Sequence, residues 1–138
     1  MVSLKTLVIG ASTNPSRYSY KVVTILKSKN IPVVPMGPNQ GKIQSIEIVS
    51  PLKPQENIHT VSLYIRPILQ EEYFDFVISL EPKRVLFNPG TENHRFNKLL
   101  DKKNIFWENA CSLVPVSYTH LRAHETVLDL VCRLLLEK

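Results

Sequence analysis

Three observations predict an α/β fold built on a parallel sheet. Short, mostly apolar runs recur along the chain, as strands buried on both faces require. Segments with apolar residues at helical spacing lie between several of them. Bends rich in Gly, Pro, Asn and Ser follow the runs. Alternating strands and helices give a sheet covered on both sides, in three α/β/α layers, with right-handed crossovers. The expected architecture is a Rossmann-like, doubly wound parallel sheet.

The elements follow in order. Lys5-Thr-Leu-Val-Ile-Gly-Ala11 reads as a buried strand feeding a turn, and Ser12-Thr-Asn-Pro-Ser16 is dense turn chemistry. From Ser19, the residues Val22, Val23, Ile25 and Leu26 form a helix face, closed by Lys27, Lys29 and Asn30. Ile31-Pro-Val-Val-Pro-Met36 is a second strand and Gly37-Pro-Asn-Gln-Gly41 a loop. Ile46-Glu-Ile-Val49 is a short strand, followed by a polar connection over 51–57. Thr60-Val-Ser-Leu-Tyr-Ile65 is a strand stopped by Arg66-Pro67. Residues 68–80 carry Tyr73, Phe76, Val77 and Leu80 at helical spacing. Arg84-Val-Leu-Phe87 is a further strand, Phe96, Leu99 and Leu100 mark a short helix, and Ile105-Phe-Trp107 is the last strand.

The chain has 138 residues, of which 43% are hydrophobic and 21% charged. That suits one folded domain, expected over 1–115, and argues against disorder. The apolar runs fall short of the roughly 20 residues a membrane span needs. The first ten residues have none of a signal peptide's features, so the cytoplasm is the expected location. Two cysteines make neither a disulfide framework nor a four-sulfur metal site. Residues 1–115 hold 14 Lys and Arg against 9 Asp and Glu, a balance that suits an anionic ligand and equally suits ordinary solubility.

Residues 116–138 are set apart. Val116-Ser-Tyr-Thr-His-Leu-Arg-Ala-His-Glu-Thr126 and Leu130-Val-Cys-Arg-Leu-Leu-Leu136 resemble two blocks of a sequencing adapter translated in one frame. This tail is therefore read as a library artefact and excluded from fold reasoning. On that reading the native chain ran on past Val114.

Open parallel sheets bind ligands beyond the carboxyl ends of their strands, at the point where strand order reverses. Four loops, over 10–18, 36–42, 66–67 and 88–92, follow strands and are expected on that edge. In the first, Gly10 permits a tight turn, and Ala11 and Ser12 are small enough for backbone amides to approach a phosphate. The helix that follows aims its positive end at the same spot, and Arg17 adds a fixed charge. This is a phosphate cradle in outline. It is neither the G-x-G-x-x-G fingerprint nor a Walker loop. A routine strand-to-helix turn, with Asn14 and Ser16 satisfying the backbone, explains the pattern equally well. Asn88-Pro-Gly-Thr-Glu92 is ambiguous in the same way: Glu92 would accept from a sugar hydroxyl or simply sit at a helix N-terminus.

Gly10-Ala-Ser-Thr-Asn-Pro-Ser-Arg17, followed by Tyr18-Ser-Tyr20, resembles the first loop of the small bacterial CoA-binding proteins, stand-alone relatives of the CoA-binding domain of the succinyl-CoA synthetase α subunit. Asn88-Pro-Gly-Thr-Glu92 and Ala110-Cys-Ser-Leu-Val114 resemble that family's later motifs, in order. The resemblance covers residues 4–114 and implies a Rossmann-like fold that holds the ADP end of coenzyme A. Carried over by position, Gly10, Ala11 and Ser12 would meet the diphosphate, with Asn14, Pro15 and Arg17 at its edge. Met36, Gly37 and Lys42 would meet the adenosine moiety and its phosphate. Arg66 and Pro67 would flank the ligand, and Asn88, Pro89, Gly90 and Glu92 would close the site.

Other residues carry less. Cys111 reads as a small buried hydrophobe rather than a reactive thiol, and His94 as a solvent-facing residue at a helix start. Tyr64, Tyr73, Phe74, Phe76 and Trp107 read as packing. The basic residues from Lys83 onward are scattered, which disfavours nucleic acid. No nucleophile–base–orienter set is visible. The expectation is a non-catalytic or accessory CoA-binding domain. The rivals are a fragment of an NAD-type oxidoreductase and a nucleotide-responsive sensor acting through a protein partner.

Overall fold

The computed structural model describes residues 4–109. Cys111 and the tail set apart above lie outside the described residues. The elements are β1 (Thr6–Ile9), α1 (Tyr18–Ser28), β2 (Val33–Met36), β3 (Lys42–Ile43), β4 (Ile46–Glu47), β5 (Thr60–Leu63), α2 (Pro67–Gln70), a 3₁₀ turn (Glu71–Tyr73), α3 (Phe74–Leu80), β6 (Arg84–Phe87), α4 (His94–Lys102) and β7 (Phe106–Asn109). Five strands form one sheet in the order β2-β1-β5-β6-β7, and every pairing in it is parallel. This is the expected Rossmann-like α/β architecture.

Residue alternation along the strands assigns the two faces. Leu7, Ile9, Val61, Leu63, Val85 and Phe87 pack against Tyr73, Phe74 and Val77, and against Phe96 and Leu100 of α4. Phe96 stands at the centre of this face, 4.5 Å from the Phe74 ring and edge-on to Phe87 at 5.6 Å. On the other face Val8 packs with Val23, and Leu86 with Val22 and Leu26, all beneath α1. Helices on opposite faces follow from right-handed crossovers that run in opposite directions from β1. β2, whose interior residue Pro35 has no amide to donate, lies at the sheet edge, where a missing donor is tolerated.

Two local features differ from the sequence reading. The helix expected over 68–80 is divided into α2, the 3₁₀ turn and α3. The tightened middle turn still keeps Gln70, Tyr73, Phe74 and Val77 buried, so the burial pattern survives the change in hydrogen bonding. Lys42 is not in a loop but opens β3, which pairs antiparallel with β4. Gln44 and Ser45 between them both take positive φ, the backbone of a tight hairpin turn, without the glycine that would have announced it. No helix among the described residues is long and apolar enough to cross a membrane.

Candidate functional site

Register places the carboxyl ends of the main strands in one row: Ile9 beside Met36 and Leu63, Leu63 beside Phe87, Phe87 beside Asn109. The chain passes from β1 to β2 on one side, then returns to place β5 on the other side of β1. The switch point is therefore the crevice beyond Ile9 and Leu63. The loop after β1 leaves the sheet at this crevice.

That loop is built by its own small residues. Gly10 takes φ +98, and a Cβ there would lie 2.8 Å from Ile65 Cγ2 and 3.0 Å from the Tyr64 carbonyl carbon. Both the conformation and the close approach exclude larger residues. The amides of Gly10 and Ala11 both donate to the Met36 carbonyl, at 2.9 and 3.0 Å. These two residues anchor the bend, and their amides are not offered to a ligand. Ser12 Oγ accepts from the Asn14 amide, and Asn14 Oδ1 accepts from the Ser16 amide and hydroxyl. Asn14 thus folds the loop. Among the described residues the amides of Ser12 and Thr13 have no partner. α1 begins without a side-chain cap, and its first bond, Lys21 N to Arg17 O, leaves the amides of Tyr18, Ser19 and Tyr20 pointing out of the helix end. Pro15 and Arg17 are exposed beside them.

The second loop packs onto the first. A Cβ on Gly37 would stand 3.1 Å from the Ala11 carbonyl oxygen, and one on Gly41 would stand 2.5 Å from Thr13 Cγ2. Met36 is fully buried in the core, so its contribution here is the carbonyl that fixes Gly10 and Ala11. Lys42 is exposed on β3, opposite Glu47.

The third and fourth loops form one unit. Arg66 is exposed at the start of α2, with Pro67 as the first helical residue. Residues 88–91 make a β-turn closed by Thr91 N to Asn88 O at 2.9 Å, with Pro89 second and Gly90, at φ +90, third. A Cβ on Gly90 would meet nothing within 4 Å. Asn88 is buried, and its amide donates to Ser62 Oγ and to the Leu63 carbonyl. It ties the loop to β5 rather than reaching outward. The Gly90 amide donates to Glu92 Oε1, which holds that carboxylate over the turn. Buried Gln70 and Asn93, which the sequence reading passed over, join the two loops. Asn93 had a readable signature, since it caps α4 by accepting from the Phe96 amide; Gln70 had none.

The site loops make a chain of contacts: second to first, first to the Tyr64-Ile65 segment that leads into the third, third to fourth. All four glycines of the protein lie in it. His94 is exposed at the start of α4. No group of three His, Cys, Asp or Glu side chains among the described residues could hold a metal ion.

An open parallel sheet with an amide-lined bend at its switch point defines the class of Rossmann-like domains that hold a nucleotide at the sheet edge. This chain belongs to the CoA binding domain family, whose model matches residues 5–117. A solved structure described only as an uncharacterized protein is similar at 35% identity and a TM-score of 0.78, over 86% of this chain and 98% of that one. A hypothetical protein from Pyrococcus horikoshii OT3 is similar at 28% identity and a TM-score of 0.70, over 79% of this chain and 78% of that one. A Thermus thermophilus structure shares the fold at 23% identity and a TM-score of 0.70, over 78% of this chain and 82% of that one. No curated protein matches the chain.

Proposed function

We propose that the protein binds coenzyme A, free or acylated, through its ADP end, in a non-catalytic or accessory role. The observation that carries this reading is the uncapped N-terminus of α1 beside the bend at the switch point. Its outward amides, those of Ser12 and Thr13 and the Arg17 guanidinium supply what a diphosphate needs: aligned donors, a positive dipole end and a fixed charge. The open space over Gly90 lets a ligand lie against the fourth loop. Arg66 and Lys42 are exposed cations on the flanking segments.

The end of β2 favours CoA over NAD. Dinucleotide-binding folds place an acidic residue there for the ribose hydroxyls. Here Met36 is followed by Gly37, Pro38, Asn39 and Gln40, with no acid. Calorimetry of the protein against CoA, NAD and ATP tests the reading. CoA is expected to bind most tightly; preference for NAD, or no nucleotide binding, overturns it.

One observation favours a second reading, a nucleotide-responsive contact with a protein partner. Ile68 is 75% exposed and Leu69 45%, directly after the Arg66-Pro67 segment. Binding to a partner that changes with CoA in a pull-down supports that role, and CoA-independent binding removes it.

A further inference from the structure

We infer that Gln70 is a positioning residue that locks the third and fourth site loops into one rigid unit, so that both meet the ligand in fixed register. Gln70 is fully buried at the end of α2. Its side-chain amide donates to the Ile65 carbonyl at 2.9 Å and to the Thr91 carbonyl at 2.7 Å. Its carbonyl accepts from Asn93 Nδ2 at 3.0 Å. Both donor hydrogens and one acceptor are thereby used, on partners that belong to two different loops. Asn93 extends the link, since its Oδ1 caps α4.

The other end of the fourth loop is fixed independently, by Asn88 on Ser62 and Leu63. The exposed tip, Pro89-Gly90, is therefore suspended between two buried amide anchors. Among the described residues, Gln70 and its partner Asn93, whose Nδ2 also donates to the Pro67 carbonyl at 3.4 Å, join the Thr91 end of the loop to the Arg66-Pro67 segment, and Gln70 alone reaches the Thr91 carbonyl. A buried amide with satisfied partners fixes geometry because every alternative leaves carbonyls unpaired. An apolar side chain of similar length would fill the space but leave Ile65 O and Thr91 O without a donor.

The ligand part of this inference rests on the CoA reading, whereas the locking of the loops stands on geometry alone. The test is amide hydrogen exchange on the full chain with Gln70→Met, together with CoA titration. The variant is expected to keep the protection of 6–9 and 60–63 while exchange over 88–93 speeds up and CoA affinity falls about tenfold. Exchange that rises uniformly across the sheet, or affinity that stays at the wild-type level, overturns the inference. If the wild type binds no CoA, the functional reading fails, and exchange alone decides the locking: loosening confined to the loops upholds it, uniform loosening overturns it. Should Gln70→Met fail to fold, Gln70→Glu replaces it. A neutral acid can donate to one of the two carbonyls and a carboxylate to neither, so the variant's loop protection relative to wild type is expected to fall from about pH 5 to about pH 8. A pH-independent ratio overturns the inference.

Discussion

Gly10 and Gly90 share a positive φ but differ in their surroundings, and that difference separates their predicted costs. At Gly10 an added methyl meets Ile65 and the Tyr64 backbone at 2.8–3.0 Å, in a place where β1 and β5 cannot move apart. Gly10→Ala is expected to destabilise the fold by about 2 kcal/mol or more. At Gly90 the methyl enters open space, so Gly90→Ala carries only the conformational strain, about 1 kcal/mol. Denaturant midpoints check both, and equal losses would contradict the geometry. If the ligand lies over Gly90 as proposed, Gly90→Ala is also expected to weaken CoA binding in a titration, and unchanged affinity would remove Gly90 from the site. Arg17 is exposed at the start of α1, and its side chain makes no capping hydrogen bond there. Arg17→Ala is therefore expected to leave the melting temperature unchanged and to weaken CoA binding by about 1.5–3 kcal/mol, the range for a charge-assisted bond. Unchanged affinity in a titration would remove Arg17 from the site.

Asn93 does three jobs at one element end: it caps α4 through Phe96 N, holds Gln70 Oε1 and donates to the Pro67 carbonyl. Asn93→Ala is expected to lose about 1–2 kcal/mol, measured by urea unfolding, and a loss below about 0.5 kcal/mol would show that none of these bonds matters. This cap had a signature the sequence reading did not take up, Asn before a helical run, whereas the central strands β1, β5 and β6 were legible because their runs are buried on both faces. The loop positions were legible for the same reason, because parallel strands must deliver their ends to one edge. What was not legible is how hydrogen bonds divide among loop residues. Gly10, Ala11, Asn14, Met36 and Asn88 are the residues a ligand reading selects, yet their polar groups fold the loops onto one another. Residue type shows that a group can donate; only the fold shows to what. The β3–β4 hairpin escaped because Gln44 and Ser45 adopt positive φ without being glycine. Gln70 escaped because its partners lie far along the chain or in loop backbone, which no periodicity encodes.

The sheet divides the molecule into two edges with different tasks. The carboxyl edge carries the loops, and the amino edge carries the polar pair His59 and Thr60, joined at 2.8 Å, with Arg84 Nε donating to the same Thr60 hydroxyl at 3.1 Å. Burial lowers the His59 pKa below its ordinary 6.5, and the positive charges of Arg84 and then Lys83 lower it further. The folded state thus takes up this proton less readily than the unfolded chain. Above 6.5 both states hold His59 neutral and it contributes no pH dependence. As pH falls through 6.5 the unfolded state is protonated first, so stability declines until the folded-state pKa is reached. His59→Gln removes this slope. In urea unfolding at about pH 7.5 and about pH 5.5, the wild type is expected to lose more stability than the variant across the interval. An equal loss would show that His59 is not desolvated in the fold. Because His59 and the site loops lie at opposite ends of β5, the two effects are expected to add: saturating CoA raises stability by the same amount in wild type and His59→Gln, about 2.7 kcal/mol at a hundredfold excess over Kd. A CoA increment that depends on residue 59 would mean that the amino edge of the sheet communicates with the carboxyl edge through the strands.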